Sequence, residues 1–103
     1  MMKKIPQEIR DAVVKRDKAL VGGCRHCKAH LREGQGHIHH LWGRQILPPK
    51  WSGIKESNDL RNLVYLCPMC HNRIHSPLPK DVEHWKRWRE EALKINIEFK
   101  GTK

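Results

Sequence analysis

Two Cys-x-x-Cys pairs, Cys24/Cys27 and Cys67/Cys70, constrain this chain more than any other feature of its sequence. Each pair presents two thiols at one tight turn. Two such turns supply the corners of a tetrahedral zinc site with Zn–S bonds near ~2.3 Å. Four cysteines close the coordination sphere, so the spacing predicts a structural Zn2+ rather than a catalytic one. The intervening stretch is longer than in common zinc ribbons, so strands and a loop must be inserted between the halves of the staple. A redox role for the pairs would call for a βαβ context that the pattern lacks. A mixed site using His26 or His30 is the other arrangement open to these residues.

The rest of the composition explains why a staple is needed. The chain has 103 residues, a hydrophobic fraction of 38%, one Phe and one Tyr. A core that thin is usually reinforced by a metal, a disulfide or a partner. The N-terminus, Met-Met-Lys-Lys-Ile-Pro-Gln-Glu, lacks the apolar run of an export signal, and nothing approaches the ~18 apolar residues of a membrane span. These features predict a cytoplasmic protein, where reduced thiols favour metal over disulfide. The net charge of +10 points to a polyanionic partner such as nucleic acid, although a ribosomal or merely soluble basic protein would share it.

Patterning predicts an α+β, small zinc-stabilised domain over 1–103. A helix is expected over 5–20, with Pro6 in its first turn, Ile5, Ile9, Val13 and Leu20 on one face and Gly22-Gly23 as its stop. Its Lys15, Arg16 and Lys18 are placed to graze DNA. His37 to Leu41 and Leu63 to Leu66 read as short strands, separated by a long Pro- and Gly-containing loop. Cys67-Pro68-Met69-Cys70 turns into a helix ending near His75, before Pro77 and Pro79. A last helix over 81–95 starts at Asp81 as N-cap and carries Val82, Trp85, Trp88, Ala92 and Ile95 as its apolar stripe.

Eight histidines crowd this short chain. His71 and His75 lie four apart on a predicted helix and share a face, which is a metal-pair spacing. His39 and His40 are neighbours on a predicted strand, so their side chains point to opposite faces. One can bind an ion while the other addresses something beyond it.

In this order, His39-His40, Asn62, His71 and His75 resemble the His-Asn-His signature of HNH nucleases. The segment from Asn62 through Cys67-Pro68-Met69-Cys70-His71 to His75 carries most of the likeness. The doubled histidine is similar to the form in colicin DNases and in many phage and restriction-type members. The resemblance spans about 24–76 and implies a ββα-metal (His-Me finger) core flanked by the terminal helices. It also implies a metal-dependent DNA endonuclease that leaves 5′-phosphate and 3′-hydroxyl ends. Carried over residue by residue, His39, His71 and His75 would hold a catalytic divalent ion (Zn, Ni, Mn, Co or Mg). His40 would be the general base, and Asn62 would hold the loop and orient that base. Nitrogen ligands favour the first four ions over Mg, which prefers oxygen. Two departures stand out: the connection from His40 to Asn62 is long, and His37 occupies a position that is often acidic. His37 shares a strand face with His39 and is a spare ligand or a phosphate contact.

Candidate phosphate contacts are Arg44, Lys50, Lys55, Arg61 and Arg73. Trp42 and Trp51 are expected to pack the long loop onto the domain, and Trp85 and Trp88 to join the core. Lys86, Arg87 and Arg89 form either a solvated face or a second phosphate grip. The principal alternative is a non-catalytic zinc module that binds nucleic acid, which would leave the histidine register without a purpose. A nucleobase deaminase would need His-x-Glu, which does not occur. A domain of this size resembles phage-encoded members, some of which act beside the genome-packaging terminase in an infected bacterial cell. A monomer or weak dimer is expected, since cutting both strands is easier for a dimer.

Overall fold

The computed structural model describes residues 4–43 and 46–100. Its elements in chain order are α1 (Gln7–Val21), β1 (His37–His40), β2 (Leu63–Leu66), α2 (Pro68–His75) and α3 (Val82–Glu98), with short 3-10 turns at Lys50–Ser52, Leu60–Asn62 and Pro79–Asp81. The result is a small α+β domain with three α-helices and one two-stranded sheet among the described residues. None of the described helices is long and apolar enough to cross a membrane.

Helix α1 begins two residues later than the apolar spacing suggests, with Pro6 as the residue before it rather than in its first turn. It ends where Gly22 adopts φ 85° and donates its N–H to Lys18 O, a left-handed stop that glycine takes without a Cβ clash. Strands β1 and β2 pair antiparallel, with His37 opposite Leu66 and His40 opposite Leu63. The ladder continues as Leu41 N–H donates to Asn62 O at 2.8 Å. Just before β1, the Gly36 N–H donates to the Tyr65 hydroxyl, and a Cβ at Gly36 would lie 2.2 Å from the Tyr65 ring. Only glycine admits that approach.

Every residue of β2 is buried, whereas β1 is only partly covered. That difference follows from composition: Leu-Val-Tyr-Leu is apolar on both faces, while His-Ile-His-His is not. Alternation along the strands puts His37 and His39 on the side of α2, whose His71 and His75 rings they touch. Ile38 and Tyr65 line a groove with Arg10, Val14 and Lys18 of α1 on the other side. The core gathers Val13, Leu41, Trp42, Ile54, β2, Trp85, Ala92 and Leu93.

A buried polar cluster joins three segments behind β2. Asp17 Oδ1 accepts from Arg16 Nε at 2.7 Å and from Arg25 Nη1 at 2.9 Å, and Oδ2 accepts the Tyr65 backbone N–H. Arg16 also donates to the carbonyls of Leu60 and Leu63. Arg25 reaches Asn96 Oδ1 on α3, and Asn96 Nδ2 donates to Arg61 O. Arg16 is only 2% exposed, so it is a structural tie and not the surface cation expected on α1. Lys15 and Lys18 remain exposed.

Helix α3 departs from expectation in three ways. Its side-chain cap is missing, since Asp81 sits in the preceding 3-10 turn and makes no capping bond. It runs on to Glu98, and its inward face is Trp85, Ala92, Leu93 and Asn96. Ile95 is exposed and Trp88 only partly buried; Leu93 and Ile95 flank the stripe on opposite sides, and the domain packs against the Leu93 side. Trp42 is buried, as expected of a residue pinning the loop. Trp51 is 57% exposed, because the 3-10 turn at Lys50–Ser52 turns inward through Ser52 instead.

Candidate metal centres

Among the described residues, two groups of side chains converge closely enough to hold an ion: Cys24, Cys27, Cys67 and Cys70, and separately His39, His71 and His75, with ligand atoms within 4.8 Å of one another in each group.

The cysteine group is made by two turns of different origin. At the first, Cys24 N–H donates to Ala29 O and Lys28 N–H to Cys24 O, with Lys28 at φ 66°. At the second, Cys67 is the N-cap of α2 and its sulfur accepts the Cys70 N–H. Cys27 and Cys67 sulfurs lie 3.7 Å apart. That separation suits two corners of a zinc tetrahedron, about 3.8 Å for ~2.3 Å bonds, and is far beyond the ~2.05 Å of a disulfide. Burial pushes the Cys27 and Cys70 thiols up, and neighbouring thiols add to the rise. Burial also opposes ionisation of Cys24, but backbone N–H groups from Cys27, Cys67 and His26 outweigh it and lower its pKa. Four thiolates this close need a cation between them, so the donor set fits a structural ion such as zinc. His26 and His30 lie outside this group of four. His26 stands beside it, with Nδ1 3.3 Å from Cys70 Sγ and Nε2 2.8 Å from His84 Nε2.

The histidine group spans the sheet and α2. His71 and His75 Nε2 atoms lie 3.0 Å apart, close to the ~2.9–3.4 Å between two nitrogens sharing an ion at 2.0–2.1 Å. His39 meets both rings edge-on, at centroid distances of 5.6 and 5.0 Å. Burial, reinforced by His75, His71 and His40, pushes the His39 pKa down to about 3. Burial likewise lowers His71, with His75 and His37 adding to it. Both shifts favour the neutral ring, which keeps a lone pair for a metal. His37 stacks on the His71 ring at 4.7 Å and 11° rather than joining the three.

His40 is not one of that group, and its Nε2 lies 2.9 Å from Asn58 Oδ1. Asn62 is fully buried. Its Oδ1 accepts Trp42 N–H, and its Nδ2 donates to the carbonyls of Trp42 and Ser57. Asn62 thus clamps both ends of the long loop, while the side chain on the His40 ring is that of Asn58. No local pattern singles out Asn58; only the path of the loop brings it back to β1.

The expected phosphate contacts divide. Lys50, Lys55 and Arg73 are exposed. Arg61 instead forks onto Asp59, with Nε to Oδ1 at 2.9 Å and Nη2 to Oδ2 at 2.7 Å, and the pairing lowers the Asp59 pKa. It is a loop tie rather than a free cation. Arg44 lies outside the described residues. Comparison with family models, with curated proteins and with solved structures finds no match to this chain.

Proposed function

We propose that this protein is an HNH-type endonuclease that hydrolyses DNA phosphodiester bonds at the His39/His71/His75 centre. The consecutive β1, β2 and α2 would then be its ββα-metal core, and the cysteine group its zinc staple. One observation carries the reading: the imidazoles of His39, His71 and His75 converge, while the next residue along the strand, His40, stands outside the three, lines the same groove as His39 and His75, and is held by a side-chain amide.

If the Asn58 oxygen accepts from His40 Nε2–H, Nδ1 is left with the lone pair. That nitrogen then takes the proton from an attacking water as general base. The water oxygen bonds to phosphorus, the P–O3′ bond breaks, the departing oxygen takes a proton from solvent water, and the products carry 5′-phosphate and 3′-hydroxyl ends. His39, His71 and His75 would hold the divalent ion, which supplies Lewis-acid stabilisation of the phosphate oxygens when bound. Three side chains leave part of its coordination sphere open, unlike the closed cysteine set. Asn62 acts at one remove, fixing Trp42 and Ser57 so that the loop returns Asn58 to His40. The exposed Lys50, Lys55 and Arg73 add sequence-independent attraction for the backbone.

The test is conversion of supercoiled plasmid to nicked or linear forms in Mn2+ or Ni2+, with and without chelator. Wild type is expected to cut and His40→Ala to lose at least about 10²-fold in rate. Plasmid left intact in every divalent ion would refute the proposal, and intact but bound plasmid would favour the non-catalytic zinc module.

A further inference from the structure

We infer that Arg89, on the C-terminal helix α3, is the clamp for the phosphate group that is cut. This inference rests on the nuclease reading above and adds a residue that its signature does not contain.

A groove of about 310 Å³ adjoins the histidine centre, and His39, His40, His75, Lys86 and Arg89 all line it. Lys86 and Arg89 are three residues apart on α3, so they share a face over His40 and His75. The Arg89 guanidinium is fixed from one side, with Cζ 4.3 Å over the Trp42 ring. Trp42 is itself held at both backbone polar groups by Asn62. The residue that closes the loop therefore also sets the shelf on which Arg89 rests.

Arg89 differs in charge balance from the other arginines of the interior. Arg16 and Arg25 share Asp17, and Arg61 has Asp59. Arg89 Nε is enclosed and has no hydrogen-bond partner among the described residues. Burial lowers its pKa, opposed only by the through-space pull of Glu90. Arg89 as a whole is part-exposed, so its fork reaches the groove carrying a charge that no carboxylate among the described residues pairs at salt-bridge distance, and an anion there would complete it. The planar guanidinium fork matches two phosphate oxygens, which a lysine ammonium does not. Lys86, weakly bridged to the exposed Glu83 at 3.8 Å, adds a second charge at the same opening. Charge on those oxygens grows in the transition state, so a fixed fork there accelerates cleavage more than it tightens binding.

Single-turnover cleavage of a short DNA duplex and its affinity in Ca2+ are compared for wild type, Arg89→Met and Arg89→Lys. The expected result for Arg89→Met is a rate loss of about 10²-fold, a smaller loss of affinity and an unchanged metal content, with Arg89→Lys in between. A rate within twofold of wild type for Arg89→Met overturns the inference and leaves the nuclease reading standing. Should Arg89→Met not fold for want of its contact with Trp42, full activity in Arg89→Lys overturns it equally. If wild type binds the duplex without cutting it, the nuclease reading falls. The phosphate contact then stands only if Arg89→Met reduces the salt dependence of binding by about one charge. Neither cutting nor binding by wild type overturns both.

Discussion

At the scale of single residues, Asn62 couples most of the parts. Its side chain joins Trp42 to Ser57 across the loop, and through them it positions the Arg89 shelf and the approach of Asn58 to His40. Removing it leaves buried backbone groups unpaired, so Asn62→Ala should lower stability by about 2–4 kcal/mol, read as a shift of the urea midpoint. Asn58→Ala is the contrasting case. Asn58 is only partly buried, so stability should change little while cleavage falls roughly 10-fold, because the His40 tautomer is no longer selected. Loss of stability in place of activity would make Asn58 a loop residue only. The cysteine group and the His71/His75 pair were legible in the sequence because spacing on a helix or at a turn determines which side chains converge, whereas His39 was joined to that pair only through the HNH resemblance. Asn58 was not legible, and Arg89 was read only as part of a solvated face or a second phosphate grip, because their partners are set by where an irregular loop and a distant helix come to rest.

The secondary-structure elements show the same division. Helix α2 and both strands follow from Pro68, the four-residue histidine repeat and the apolar Leu63–Leu66 run. The 3-10 turns at Lys50–Ser52 and Leu60–Asn62 escape the pattern, as three-residue turns have no periodicity to detect. The start of α2 and the turn before β1 are joined by the cysteine group, so their order should depend on the staple. Cys24→Ala, or zinc removal by a strong chelator, should abolish the cooperative thermal transition seen by circular dichroism. Retention of that transition would mean that the apolar core suffices. Behind β2, the single Asp17 carboxylate pairs with both Arg16 and Arg25 in a buried setting. Asp17→Ala strands two cations there and should cost about 3–5 kcal/mol, measured by urea denaturation. The sequence concealed this cluster because Arg16 and Asp17 look like the solvated face of an amphipathic helix.

For the whole molecule, little of the net charge of +10 is lost to internal pairing, because Arg16, Arg25 and Asp17 together carry one positive charge and Arg61 with Asp59 carries none. Arg16 and Arg25 are interior, and Arg61 is tied to Asp59. Among the described residues the outward cations are the exposed lysines, Arg10, Arg32, Arg73 and Arg87, together with Arg89 in the groove it shares with Lys86. One closed site is proposed to hold the domain together and one open site to act, and these should respond differently to metal. The most direct test strips the protein with a chelator mild enough to spare a four-thiolate zinc site, then titrates Mn2+ back while following plasmid cleavage. The account predicts silent, folded protein carrying one zinc, activity returning as one further ion binds, and no recovery in His71→Ala. Cleavage that persists in the stripped protein, or returns equally in His71→Ala, would contradict it.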